Sequence, residues 1–371
     1  MENNLLCEVC GREMIAEEAE YVNDTLLCAD CLETETVICR CCGDRIFSRD
    51  AIDRDLCEHC ADEHYTHCCG CGELISNEDV LYTEADEYDH DYPYCRQCYN
   101  KYSDDIIHSY YYKPDPVFLG NDSDLYMGIE LEIDEGGHDN EYAEIIYDTA
   151  NLTEDRLYIK HDSSIDNGFE LVTHPMTLNY HRNTMPWREV LRKAVSLGYL
   201  SHQADCCGLH IHVNRNAFGN TRSRQEEAIA RIIFFYEKFW PEILRFSRRT
   251  EYQVNRWASR YGGVLSTCKN SLDTAKKAGL GRYTAVNLKP ENTIEFRIFR
   301  GTLRYETFIA TLEFAHYLCE LAKELSDENF HAMSWSEFVS GIDTTEYPEM
   351  IDYLKRRRLY INEPVKETEE I

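Results

Sequence analysis

Four short segments alternate apolar residues with charged or metal-seeking ones: Gly128-Ile129-Glu130-Leu131-Glu132, Phe169-Glu170-Leu171-Val172-Thr173, Leu209-His210-Ile211-His212-Val213-Asn214 and Thr293-Ile294-Glu295-Phe296-Arg297. Successive side chains of a β-strand point to opposite faces. Glu130 and Glu132 therefore oppose Ile129 and Leu131, His210, His212 and Asn214 oppose Leu209, Ile211 and Val213, and Glu295 and Arg297 oppose Ile294 and Phe296. A sheet built from these strands has one greasy face and one of carboxylates, imidazoles and guanidinium. A solvated sheet face would also alternate, but Glu is depleted in strands and like charges crowded on one face repel. Carboxylates packed this closely call for a divalent cation, and hard oxygen donors suit magnesium or manganese.

Composition narrows the function classes. The 371-residue chain has room for two or three domains, and its net charge of −30 opposes non-specific binding to phosphate backbones. No apolar run approaches the roughly 18 residues of a membrane helix. The start, Met1-Glu2-Asn3-Asn4, lacks the basic and apolar stretches of a secretory signal, so a cytoplasmic, reducing setting is expected. There the eighteen cysteines read as metal ligands before disulfides.

Six Cys-x-x-Cys pairs precede residue 100: Cys7/Cys10, Cys28/Cys31, Cys39/Cys42, Cys57/Cys60, Cys68/Cys71 and Cys95/Cys98. Every odd-numbered pair is followed by glycine (Gly11, Gly43, Gly72), a repeat of roughly 30 residues. The two-residue gap brings both thiolates of a tight turn to one tetrahedral ion, and glycine lets the backbone fold around the sulfurs. Pairing consecutive knuckles predicts about three structural zinc ions, with Cys41, Cys69, His59, His64 and His67 as spare neighbours. Residues 1–115 hold 28 Asp and Glu against 8 Lys and Arg, so this region lacks the basic face of a nucleic-acid module. A basic protein partner is the better match for it.

Ser103 to Asp124 reads as a linker, rich in turn formers. Helices are expected from Arg182 to Leu200, after a capping box at Ser223 and Glu226, and through Phe308, Leu312, Ala315, Cys319 and Ala322. From Arg245 to Arg282 the acidic trend reverses, with nine Lys and Arg against Glu251 and Asp273, and with Gly262-Gly263 and Gly279-Leu280-Gly281. A mobile basic loop of this kind suits polyphosphate. No phosphate-cradling or dinucleotide glycine motif is present.

The order Gly-Ile-Glu-Leu-Glu, His161-Asp162-Ser163-Ser164-Ile165, Phe169-Glu170-Leu171-Val172-Thr173-His174-Pro175, Cys207-Gly208-Leu209-His210-Ile211-His212-Val213, Arg282-Tyr283 with Asn287, and Thr293-Ile294-Glu295-Phe296-Arg297-Ile298-Phe299-Arg300-Gly301-Thr302 resembles the phage and bacterial amidoligase family. These are carboxylate–amine ligases related to glutamine synthetase and glutamate–cysteine ligase, and the resemblance covers about residues 125–325. The N-terminal repeats resemble zinc-ribbon or treble-clef knuckles.

The resemblance implies an α+β fold: an antiparallel sheet of the glutamine synthetase/glutamate–cysteine ligase type with flanking helices, preceded by small four-cysteine zinc modules. The implied domains are three zinc-binding repeats (1–102), a linker (103–124), a catalytic domain (125–330) and a C-terminal helical extension with an acidic tail (331–371). The implied activity is ATP-dependent amide formation through an acyl phosphate, using Mg2+ or Mn2+, in the cytoplasm of a bacterium or phage-infected host. By position, Glu130, Glu132, Glu170 and Glu295 match metal carboxylates. His210 or His212 matches a metal or phosphate ligand, with Asn214 grouped on the same cofactor-binding face. Arg282, Arg297 and Arg300 match the basic residues near the transferred phosphoryl group. Asp162 and His212 are both candidates for the general base. Two other readings stay open: an inactive zinc-module adaptor, and a metal-dependent hydrolase or phosphotransferase. The carboxylate and amine, whether amino acid, peptide or cell-wall peptide, are not specified.

Overall fold

The computed structural model describes residues 5–15, 19–82, 93–102, 106–110, 112–204, 206–262, 267–277 and 281–360. The chain divides into two compact units, with the break between Asp104 and Asp105.

In the first unit one small module is built three times. Hairpins Leu5–Leu6/Glu13–Met14, Thr36–Ile38/Arg45–Phe47 and Tyr65–His67/Leu74–Ser76 each carry a Cys-x-x-Cys-Gly turn between their strands. Gly11, Gly43 and Gly72 have φ of 74°, 80° and 78°, the left-handed region that penalises any side chain. The second pair of each set opens a helix: Cys28 and Cys57 are the N-caps of Ala29–Glu35 and Glu58–His64, and Cys95 precedes Arg96–Tyr102. In each module a Cys-x-x-Cys-Gly knuckle thus accompanies a helix start that carries the second cysteine pair. Each module buries little else, the first around Leu27 and Phe47 and the second around Leu56.

The second unit is a seven-stranded sheet with helices. Its strands are β1 (Ile107–His108), β2 (Met127–Ile133), β3 (Leu157–Lys160), β4 (Phe169–Thr173), β5 (Gly208–Asn214), β6 (Val286–Asn287) and β7 (Thr293–Arg300). They lie in the order β1-β3-β4-β2-β5-β7-β6. The wholly antiparallel expectation fails at one edge, where β1 runs parallel to β3, so the sheet is mixed.

Alternation then sorts the faces. Ile129, Leu131, Ile159, Leu171, Leu209, Ile211, Ile294 and Phe296 are fully buried on one side, in one core with the helix Tyr305–Glu324. That helix is buried nearly all round, Thr307, Thr311, Glu313 and His316 included, and so lies inside the unit.

Several sequence expectations need correction. The segment read as a linker belongs to the second unit from Asp105, and its Ile107–His108 is an edge strand. Residues 331–360 are no appendage, since Trp335, Phe338, Met350 and Leu354 are buried in the same core. The acidic tail beyond residue 360 lies outside the described residues. The helix expected from Arg182 is two helices, Leu178–Asn183 and Trp187–Ser196, broken at Pro186. Thr221 rather than Ser223 caps Arg222–Lys238. The basic island is mostly helical, as Trp240–Ser247, Glu251–Trp257 and Cys268–Lys277. Of its glycines, Gly263, Gly279 and the adjoining Leu280 lie outside the described residues.

Candidate active site

Strand pairing brings the charged residues together row by row. Cross-strand partners share a face, and the register sets Lys160 opposite Glu170, Glu170 opposite Glu132, Glu130 opposite His210 and His212 opposite Glu295. These side chains line a cavity of about 240 Å³ together with Asp162, Arg249, Arg282 and Arg297.

The carboxylates are held by specific partners. Glu130 lies 3.3 Å from both His210 Nδ1 and His212 Nε2. Lys160 Nζ stands 3.2 Å from Glu170 Oε2. Asn287 Nδ2 donates to Glu295 Oε2 at 2.7 Å, and Arg297 Nη1 donates to Glu295 Oε1. The backbone N–H of Gly208 donates to Glu132. Asp162 Oδ1 accepts from the backbone and hydroxyl of Ser164.

Burial and mutual repulsion make this cluster electrostatically uneven. Burial first, then the Glu130 charge, pushes the Glu170 carboxyl well above the usual carboxylate range. Burial and the nearby Asp162 likewise raise Glu132. Burial would raise Glu130 too, but the charge of His212 and the hydrogen bond from His210 outweigh it and hold Glu130 well below that range. Burial opposes the charge of His212, yet Glu130 and Glu295 raise its basicity overall. Carboxyl groups driven apart in acidity within one pocket make this cluster a candidate functional site.

The rim is aromatic and basic. Arg282 donates to the hydroxyls of Tyr110 and Tyr283, Arg297 stands 5.8 Å from the Tyr283 ring centre, and Trp257 packs edge-on against Tyr283 at 5.6 Å.

Two expected residues are placed elsewhere. The carboxamide of Asn214 is engaged with backbone, accepting from Tyr126 N and donating to Asp124 O, and it does not line the cavity. Arg300 is also outside the lining; it sits opposite Gly208, and its carbonyl accepts from Arg248. Strict alternation would place Arg300 on the apolar face. The register shift facing Leu209 and Ile211 inserts one extra residue in β7 and turns Arg300 back to the charged side.

Lys160, Arg249, Tyr110 and Trp257 also line the cavity and lie outside the four alternating segments. Lys160 had a signal, the alternating Leu157-Tyr158-Ile159-Lys160. Arg249 was only one cation of the basic island, and nothing local marked Tyr110 in a segment that reads as a linker.

The model of the family described as "Putative amidoligase enzyme" matches residues 130–319, and so contains every strand residue of this cluster. The chain belongs to the amidoligase family. No curated protein sequence matches it. Among solved structures, a bifunctional glutathione synthetase from Pasteurella multocida is similar at 13% identity with a TM-score of 0.34. That alignment covers 63% of this chain and 46% of the synthetase, so the chain spans about half the length of that protein. At that TM-score the likeness carries no argument about the amidoligase fold.

The cysteine sets are equally defined. Cys7, Cys10, Cys28 and Cys31, then Cys39, Cys42, Cys57 and Cys60, then Cys68, Cys71, Cys95 and Cys98 each bring four sulfurs within 4.8 Å of one another. Sγ–Sγ separations of 3.7 Å (Cys10–Cys28), 3.9 Å (Cys42–Cys57) and 3.7 Å (Cys71–Cys95) match the edge of about 3.8 Å of a tetrahedron with zinc–sulfur bonds near 2.3 Å. Burial works against the thiolates of Cys7, Cys39 and Cys68, but backbone N–H donors lower each to about 6. The spare Cys41 and Cys69 are exposed and belong to none of these sets.

Proposed function

We propose that this amidoligase is an ATP-dependent carboxylate–amine ligase with a sheet of the glutamine synthetase/glutamate–cysteine ligase type. One observation carries the reading: three strands, β2, β4 and β7, set Glu130, Glu132, Glu170 and Glu295 on one face of a cavity that Lys160, Arg249, Arg282 and Arg297 also line. In the reaction a carboxylate oxygen attacks the γ-phosphorus of ATP and ADP leaves. The amine nitrogen then attacks the acyl carbon, phosphate leaves, and the nitrogen loses a proton.

The donor set fits Mg2+ or Mn2+. Glu130, Glu170 and His210 form one convergent group and Glu130, His212 and Glu295 another, each with ligand atoms within 4.8 Å. Glu130, Glu170, Glu295, His210 and His212 would hold such ions, which would neutralise charge on the phosphates. The chain's own residues supply position. His210 and His212 orient Glu130, Lys160 holds Glu170, and Asn287 and Arg297 fix both oxygens of Glu295. Arg282, pinned by two tyrosine hydroxyls, and Arg297 face the transferred phosphoryl group from the rim, while Arg300 lies outside the cavity lining. Asp162, already oriented by Ser164, and His212 where it holds no cation are the candidates to take the amine proton. The four-sulfur sets hold zinc and keep the first unit folded, and the acidic face of that unit suits a basic protein partner.

The test is a screen of amino-acid, peptide and cell-wall peptide carboxylates with hydroxylamine as the amine, reading ADP and hydroxamate. Hydroxamate formed only with ATP and one carboxylate class is the expected result. ADP release without hydroxamate points to a hydrolase or phosphotransferase, and no ADP at all to an inactive adaptor.

A further inference from the structure

Among the described residues that line the cavity, Arg249 is a deeply buried cation whose hydrogen bonds leave one nitrogen unpartnered. It is 5% exposed, and among the described residues no carboxylate forms an ion pair with it. Two of its nitrogens are engaged: Nε donates to Ile298 O at 3.1 Å and Nη2 to Phe299 O at 3.3 Å. Both carbonyls lie beside the extra residue of β7, where ladder bonding is interrupted. The bulge thus clamps the guanidinium plane from one side. Nη1 is buried without a partner, as is Nε of neighbouring Arg297. A Cβ on Gly208 would stand 2.9 Å from Arg249 Nη2 and 2.6 Å from His210 Nε2, so glycine there keeps the cradle open.

A buried guanidinium with an unsatisfied donor is costly, and that cost falls when an acceptor binds beside it. We infer that Arg249 is an oxyanion receptor at the buried floor of the cavity, taking through Nη1 an oxygen of a phosphoryl group or of a substrate carboxylate. Its rigid fork suits either planar or tetrahedral oxyanions. The inference rests on the ligase reading for the identity of the oxyanion, and it assigns a receptor that the strand motifs do not include.

The experiment is calorimetric titration of the full, zinc-loaded chain with inorganic phosphate and separately with acetate, in magnesium buffer, for wild type, R249Q and R249K. The expected result is a loss of about tenfold or more in affinity for one or both anions in R249Q, with a smaller loss in R249K. Loss for phosphate alone identifies a phosphoryl receptor, and loss for acetate alone a carboxylate receptor; either supports the inference. Unchanged affinity for both anions, or wild type that binds neither, overturns it. If R249Q does not fold, R249K carries the test, because it keeps the charge and loses the fork. Anion binding through Arg249 in a protein that forms no hydroxamate would overturn the ligase reading and leave the receptor standing. Hydroxamate formation with anion binding indifferent to Arg249 would do the reverse.

Discussion

At the scale of single residues, the site works by holding incompatible charges in fixed places, and the consequences are measurable. Arg297 donates to Glu295 and also faces the cavity, so its fork has two tasks. Arg297→Lys keeps the charge but loses the planar pair of donors, and turnover should fall about a hundredfold with little change in nucleotide affinity. ADP release and thermal unfolding on one sample check this. Normal turnover, or a collapsed melting temperature, would count against a role at the phosphoryl group. Glu130 is the carboxylate common to both convergent groups. Glu130→Gln removes its charge without removing bulk, and should abolish ATP turnover while circular dichroism stays native. Comparable activity at saturating magnesium would show that Glu130 holds no cation. Both residues were legible from alternation alone, because a period of two needs only the local chain. Arg249 was not, because what singles it out is the set of carbonyls and the cavity that distant strands bring to it.

Among the elements, the repeated modules and the β7 bulge show two degrees of legibility. The modules are written out in sequence, since each sulfur pair, its glycine and its helix start lie within a few residues of one another. About three zinc ions per chain are expected by elemental analysis of reduced protein, and one or none would contradict the four-sulfur assignment. Gly43 has φ of 80°, and a Cβ there meets nothing within 4 Å, so its requirement is purely conformational. Gly43→Ala should cost about 1–2 kcal/mol and lower the chelator concentration that strips the second module. Zinc retention equal to wild type would mean the turn relaxes at no cost. The bulge is a different case. Ile298-Phe299 breaks the alternation by one residue, yet only pairing with β5 shows that the break turns Arg300 back to the charged face.

For the whole molecule, stability against acid follows from buried imidazoles in the second unit. Burial lowers His181 to about 4, where its Nε2 bonds Met127 O and its Nδ1 accepts from Trp187. Burial likewise lowers His316 to about 4, beside the Tyr347 hydroxyl. A histidine depressed in the folded state stabilises fully above its ordinary value of about 6.5, and that stability is lost as pH falls through about 4. Each histidine contributes on the order of 3 kcal/mol over that window. The four tryptophans, Trp187, Trp240, Trp257 and Trp335, all lie in the second unit, so their emission during denaturant unfolding reports it separately from zinc loss. Unfolding free energy that stays flat from pH 6.5 to 4.5 would refute the assignment, as would charged His181 in a pH 5.5 histidine spectrum. The sequence by itself determined the six Cys-x-x-Cys pairs and the two faces of each strand, because each rests on spacing within one segment, and the order of six motifs marked the family. Only the tertiary structure decided that the presumed linker supplies an edge strand and Tyr110 to the cavity, that Asn214 is tied to backbone, and that Arg249 faces the carboxylates. Those placements depend on which strands become neighbours and in what register, and no local spacing encodes that.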